Sequence, residues 1–231
     1  MEIGSKTDRG MVRELNEDAL GYHHQLFVVA DGMGGHEAGE IASAIAVEVV
    51  LKMEKSIEPS LANLEMAILK ANEAILSQTN ERSELQGMGT TIVALWVFEE
   101  RGLIAHVGDS RIYHLRNGNL TKLTEDHSLV AELVKNGGLT EAEAKNHPQR
   151  NILIRALGTK TSLEVSLQEI SILNGDKFLL CTDGLTGMLE ESEIQEILSC
   201  KENLQVIAEI LVAAANEAGG NDNISVIVIE V

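Results

Sequence analysis

Leu26-Phe-Val-Val-Ala-Asp31-Gly-Met-Gly-Gly-His36 is an unbroken apolar run that ends on an acid and then opens into glycines. Five consecutive apolar residues bounded by a glycine cluster read as a strand buried on both faces, with Asp31 at its tip. Three further aspartates share that setting. Leu103-Ile-Ala-His-Val107 leads into Gly108-Asp109-Ser-Arg111, and Phe178-Leu-Leu-Cys181 leads into Thr182-Asp183-Gly184. Gly220-Asn-Asp222-Asn223 stands just before the strand-like Ile224-Ser-Val-Ile-Val-Ile229. An ionised carboxylate at the end of an apolar strand carries a large desolvation cost unless something compensates it. Four such groups, if a sheet sandwich brings the strand ends together, repel one another. A hard divalent cation, which prefers oxygen ligands and keeps waters, is the natural counter-charge. A lone Asp-Gly pair is more simply a turn former; four at strand ends read as a metal site.

Working outward, strand-like segments fall near residues 2–7, 25–30, 90–98, 102–108, 111–116, 164–171, 176–181 and 223–230, and helical spacing covers roughly 37–54, 60–80, 128–136, 190–199 and 202–218. Consecutive strands joined by short turns such as Arg116-Asn-Gly-Asn119 indicate hairpins and antiparallel pairing. Strand runs flanked by helix pairs without strict alternation indicate a layered α+β fold. The 231 residues fit one large domain or two small ones; with two prolines and no linker-like tract, a single domain over residues 1–231 is the expectation. The stretch from about Glu125 to Lys160 is polar, carries Gly137-Gly138, and interrupts the strand pattern. It reads as an ordered flap.

Composition narrows the class. A formal net charge of −18 opposes nucleic-acid binding, which needs Lys and Arg on phosphates. It does not oppose a phosphorylated substrate, because bound cations invert the local field. No signal-peptide layout or membrane span is legible, and the two cysteines, Cys181 and Cys200, suggest nothing secreted. A reducing cytoplasm is the expected location.

Asn16-Glu17-Asp18 is a short acidic cluster, readable as a ligand contribution or as a solvated turn. Arg13 suits a bidentate grip on phosphate, and equally a surface ion pair with Glu14 or Glu17. His36 is a general-acid candidate or a solvated loop histidine.

The ordered series of motifs resembles the metal-dependent type-2C serine/threonine protein phosphatases, most of all the short bacterial stand-alone members. It runs through Thr7-Asp-Arg-Gly-Met-Val-Arg13, Asn16-Glu-Asp18, Val29-Ala-Asp-Gly-Met-Gly-Gly-His36 and Gly87-Met-Gly-Thr-Thr91. It continues through Ala105-His-Val-Gly-Asp-Ser-Arg111, Asp126-His-Ser128, His147-Pro-Gln-Arg-Asn151, Ala156-Leu-Gly158, Cys181-Thr-Asp-Gly-Leu-Thr186 and Gly220-Asn-Asp-Asn223. Together these span essentially the whole chain. The resemblance implies a four-layer sandwich, two central antiparallel sheets flanked by pairs of helices. It implies that Asp31 bridges two Mn²⁺ or Mg²⁺ ions, that Gly32 offers its carbonyl, and that Asp183 and Asp222 complete the first ion's shell. Glu17 and Asp18 then act mainly through water, and Asp109 with Asp183 serves a third, weaker ion. Arg13 holds the substrate phosphate. His36 is offered as general acid, three residues beyond the place, here Met33, where animal relatives carry a histidine.

The implied reaction is hydrolysis of phosphoserine and phosphothreonine in proteins. A metal-bridged hydroxide attacks phosphorus in line with the leaving alkoxide. Phosphorylated proteins, among them a bacterial Ser/Thr kinase and its targets, are the implied partners. The competing readings are a stress-response phosphatase acting on an anti-sigma pathway, a pseudophosphatase that binds without turnover, and a metal-dependent nuclease. The intact Asp31, Asp183 and Asp222 oppose the second, and the charge opposes the third.

Overall fold

A computed structural model describes residues 1–34 and 38–231. The chain begins β1 (Glu2–Asp8), β2 (Asp18–His23), β3 (Leu26–Met33), α1 (Gly39–Glu54) and α2 (Leu61–Glu81), followed by a 3₁₀ turn at Ser83–Leu85. Next come β4 (Gly89–Thr90), β5 (Ile92–Phe98), β6 (Arg101–Val107), β7 (Arg111–Arg116) and β8 (Asn119–Lys122). After α3 (Leu129–Lys135) and α4 (Glu141–Lys145) follow β9 (Ser166–Ser171), β10 (Lys177–Cys181), α5 (Asp183–Thr186), α6 (Glu191–Leu198), α7 (Leu204–Glu217) and β11 (Ile224–Glu230).

The strands form two sheets, ordered β1-β11-β10-β7-β8 and β2-β3-β5-β6-β9, with β4 joined to β3. Every pairing is antiparallel. Side chains alternate between two cores, which is why the runs are apolar throughout. Phe27 and Val29 of β3 meet Phe178, Leu180, Ile227 and Ile229 of the opposite sheet in a central layer. Leu26, Val28 and Ala30 point the other way, against Ala42, Ala46 and Val50 of α1 and Leu64, Ile68 and Ile75 of α2. On the far side Leu179, Val226 and Val228 receive Ile194 and Leu198 of α6 and Ile207, Leu211 and Ala215 of α7. The expected α+β sandwich of two antiparallel sheets between helix pairs is therefore the fold.

Side-chain caps set the helix starts. Ser60 accepts from the Asn63 N–H (3.2 Å) ahead of α2, and Asn203 accepts from the Val206 N–H (2.9 Å) ahead of α7. Differences from the sequence reading are confined to short or edge pieces: β2, β8, α4 and α5 were not anticipated, and the strand expected over 90–98 is split into β4 and β5. Among the described residues, no helix is long and apolar enough to cross a membrane.

The stretch from Glu125 to Lys160 is tied down at its base. Leu129 N–H donates to the Ile152 carbonyl (2.8 Å) and Ile154 N–H to the His127 carbonyl (2.9 Å). Leu157 and Thr90 exchange a pair of backbone bonds (2.9 and 3.1 Å). Ser128 caps α3, and a Thr140–Glu143 capping box starts α4.

Candidate active site

The two sheets deliver their acids to one end of the sandwich. Asp18 opens β2 directly opposite Asp31 on β3. Asp183 follows β10, Asp222 precedes β11, and Asp109 follows β6. Arg13, Glu17, Asp31, Gly32, Asp109, Asp183 and Asp222 line one cleft of about 180 Å³. The chain approaches itself too closely at Gly32 for any other residue: a Cβ there would lie 2.2 Å from the Gly39 carbonyl oxygen and 2.4 Å from that of Glu17.

Hydroxyls fix the Asp31 backbone. Its N–H donates to the Thr91 hydroxyl (3.0 Å), its carbonyl accepts from the Thr90 hydroxyl (2.8 Å), and the Thr91 and Ser110 hydroxyls bond each other (2.7 Å). The Thr182 hydroxyl donates to Asp18 Oδ2 (2.9 Å). Asn223 holds the loop that carries Arg13 and Glu17. Its amide donates to the carbonyls of Arg9 (2.9 Å) and Leu15 (2.8 Å), and its Oδ1 accepts from Glu17 N–H (2.8 Å). The Glu17 carboxylate packs against Gly39 at the start of α1, where Ala38 has no side chain to cap with. Arg111 grips Asp126 through two nitrogens (2.6 and 3.0 Å), keeping a cation beside Asp109.

Burial dominates the electrostatics, and mutual repulsion adds to it. Desolvation, with the charges of Asp183 and Asp222, pushes Asp18 up to about 7. Desolvation, with Asp183 and Asp126, pushes Asp109 up to about 8. Asp31 is driven well above the carboxylate range by burial and by Asp18, Asp183 and Asp109, and Asp183 is raised by burial and Asp222. Two oxygens in this cluster, Asp18 Oδ1 and Asp183 Oδ1, are buried without a hydrogen-bond partner among the described residues. Bare, acceptor-only oxygens among mutually repelling acids are the donor set of a hard divalent cation, so the residues fit Mn²⁺ or Mg²⁺.

A model of the family described as "Protein phosphatase 2C" matches residues 11–221. This chain belongs to that family. It is a protein phosphatase of the kind that works with Mn²⁺ or Mg²⁺. A relative named serine/threonine phosphatase stp, from Listeria monocytogenes, is 42% identical over 241 residues, covering 100% of this chain and 96% of its own. Protein phosphatase PhpP of Streptococcus pneumoniae is 37% identical, with 98% and 96% covered. The solved structure of the Mycobacterium tuberculosis serine/threonine phosphatase PstP superposes with a TM-score of 0.95 at 38% identity, covering 100% of this chain and 98% of that one. A second structure, described as the PstP catalytic domain in complex with two manganese ions, superposes at 0.91 with 36% identity, covering 99% and 97%.

In this phosphatase the cleft gathers all but two of the residues singled out from the sequence. Asp18 is one exception: it is half-buried, accepts from the Thr182 hydroxyl, and is not among the residues that line the cleft. His36, the general-acid candidate, lies outside the described residues. Arg13 pairs with neither Glu14 nor Glu17 but donates to Asp222 Oδ2 (2.7 Å), with half its side chain exposed on the cleft. Thr90, Thr91, Thr182 and Asn223 went unassigned although each stood inside a motif, because their work is to hold backbone that is distant in sequence. Asn151 and Leu153 also line the cleft and were not singled out from the sequence.

Proposed function

We propose that this chain hydrolyses phosphoserine and phosphothreonine in proteins, with the strand-tip acids as its metal centre. The observation that carries this reading is the pair of partnerless buried oxygens on Asp18 and Asp183 within a convergent cluster of acids. Asp31, Asp183, Asp222 and the Gly32 carbonyl hold the core pair of ions, and Asp109 with Asp183 serves a weaker third position. Glu17 and Asp18 act mainly through water. When bound, the ions supply an activated water for in-line attack and counter-charge for the phosphoryl oxygens.

The chain's own residues do the rest. Thr90 and Thr91 lock the Asp31 backbone and so fix the point from which its carboxylate enters the cleft. The half-exposed Arg13 guanidinium is the cation on the cleft, and on releasing Asp222 it takes the phosphate in a charge-assisted contact worth ~2–3 kcal/mol. His36 remains the proposed proton donor to the leaving alkoxide. The chain works as one domain, and the stretch from about residue 125 to 160 is a flap beside the cleft, contributing Asn151 and Leu153 to its wall. Its substrates are phosphoproteins, including those of a bacterial Ser/Thr kinase in the cytoplasm.

Manganese titration against a small aryl phosphate, followed by a panel of phosphopeptides, tests this. Turnover that rises with Mn²⁺, vanishes with chelator and extends to phosphoserine and phosphothreonine peptides is expected. Tight phosphopeptide binding without turnover at any Mn²⁺ concentration would make the chain a binding protein instead.

A further inference from the structure

A second set of metal-ligand side chains stands at the opposite end of the β2–β3 hairpin. The hairpin pairs Asp18 with Asp31 at the cleft and His23 with Leu26 at its tip, five residues away, roughly 16 Å at the rise of a strand. At the tip, His23 Nδ1 lies 2.6 Å from Glu54 Oε2, and His24 Nδ1 lies 3.5 Å from Glu54 Oε1. One ligand atom from each of the three residues falls within 4.8 Å of the others. We propose that His23, His24 and Glu54 form an accessory site for a borderline transition-metal ion of the Zn²⁺ class, which staples the end of α1 to the hairpin.

The chemistry separates this site from the catalytic one. The cleft offers oxygen only, which suits Mn²⁺ and Mg²⁺; the tip offers two imidazole nitrogens and one carboxylate, which suit Zn²⁺ and its neighbours in the transition series. Zinc–ligand bonds of about 2.0–2.2 Å place tetrahedral ligand atoms roughly 3.3–3.5 Å apart. The two histidines approach different oxygens of the Glu54 carboxylate, at 2.6 and 3.5 Å, so seating one ion among them needs the His23–Glu54 pair to open by less than about 1 Å together with small rotations of the side chains. For the ion to bind His23 Nδ1, the neutral imidazole carries its single proton on Nε2 instead.

Burial is graded to suit. The Glu54 side chain is 9% exposed and that of His24 75%, so the anion is fixed while one side of the site stays open to entry and to a completing water. Glu54 is also the last residue of α1, whose C-terminal carbonyls favour a cation. His24 stands at φ 46 in a two-residue hairpin loop, a place where glycine or asparagine is usual. A ligand role gives a reason for a histidine there.

The test is calorimetry of Zn²⁺ added to protein already saturated with excess Mn²⁺, with melting temperature read alongside. The expected result is one Zn²⁺ per chain beyond the manganese and a rise in Tm. In His23→Gln and His24→Gly that uptake should weaken at least tenfold and the Tm rise disappear, while aryl-phosphate turnover with Mn²⁺ stays at the wild-type level. His24→Gly guards against a folding artefact, since glycine accepts the positive φ and should leave the zinc-free Tm equal to or above wild type. Zinc that displaces manganese from the acids does so equally in all three proteins, so the difference between them isolates the histidine site. Identical Zn²⁺ uptake in wild type and both variants, or no uptake by wild type, would overturn the proposal.

Discussion

Asn223→Ala removes a buried side chain that ties the Arg9–Glu17 loop to the start of β11. Asn223 is 5% exposed and makes three bonds of 2.8–2.9 Å, donating to the Arg9 and Leu15 carbonyls and accepting from the Glu17 N–H. A net 0.5–1.5 kcal/mol per bond gives a total of about 1.5–4.5 kcal/mol. Leu15 and Arg9 lie near the surface, where water can take over part of the bonding. A loss near the middle of that range, about 3 kcal/mol, is therefore expected. The same loop carries Arg13 and Glu17 to the cleft, so its loosening should raise the Mn²⁺ concentration for half-maximal activity about 10–100-fold, the usual effect of removing a residue that orients metal ligands. The rate at saturating Mn²⁺ should fall less, because Asp31, Asp183 and Asp222 remain in place. Urea unfolding followed by the fluorescence of Trp96, the chain's single tryptophan and buried in β5, measures the first effect. An activity titration measures the second. A stability loss below ~0.5 kcal/mol with unchanged Mn²⁺ dependence would refute the reasoning.

Asp109→Ala should lower kcat markedly while calorimetry still registers the tightly bound ions; if the tight sites vanish too, the division between core and third ion is wrong. In metal-stripped protein, Asp18 keeps its proton up to about 7 and Asp109 up to about 8, whereas unfolded carboxyls release theirs near 3.8. The folded state then binds more protons across that window, so its stability falls as pH rises from about 4 to 8. The Tm increase on adding Mn²⁺ should accordingly be larger at pH 8 than at pH 5, and equal increments would count against the buried-acid reading. On the flap, Lys145 is engaged by Glu190 (2.6 Å), Lys135 by Glu125 (2.8 Å) and Arg155 by Glu164 (2.8 Å), leaving Arg150 and the terminal Lys160 without an ion-pair partner among the described residues. Arg150→Ala should reorder the preference among phosphopeptides more than Lys145→Ala does, with little effect on a small aryl phosphate. Uniform losses on every substrate would sink a selectivity role, and a lowered Tm would mark the flap as a structural cover.

The strands most plainly legible in the sequence are those buried on both faces. β3, β5, β6, β10 and β11 read as continuous apolar runs because helices cover one side of each sheet and the other sheet covers the second. β2 was invisible for a physical reason. Gly21 interrupts it because a Cβ there would sit 2.8–2.9 Å from Leu51 and Val47 of α1, so close helix packing erased the strand signal. β8 is a short, mostly exposed edge, α4 is a single exposed turn started by its Thr140–Glu143 capping box, and α5 is a single turn that buries Gly184 and Leu185. The acids of the cleft were legible because an aspartate after an apolar strand conflicts with its surroundings. Asn223, Thr91 and Thr182 carry no such conflict. Their partners lie up to 214 residues away, and only the folded chain reveals them.

Asp183→Asn is the most direct test of the metal centre. It keeps the shape of the side chain, removes one charge from a cluster in which Asp31, Asp183 and Asp222 repel one another, and takes away a partnerless oxygen. Mn²⁺ stoichiometry by calorimetry and phosphopeptide turnover should be measured on the same samples, with circular dichroism to confirm the fold. The expected result is a folded protein that has lost core manganese and shows no turnover at any accessible Mn²⁺ concentration. Near wild-type activity in excess Mn²⁺ would contradict the assignment of the strand-tip acids as the catalytic metal site.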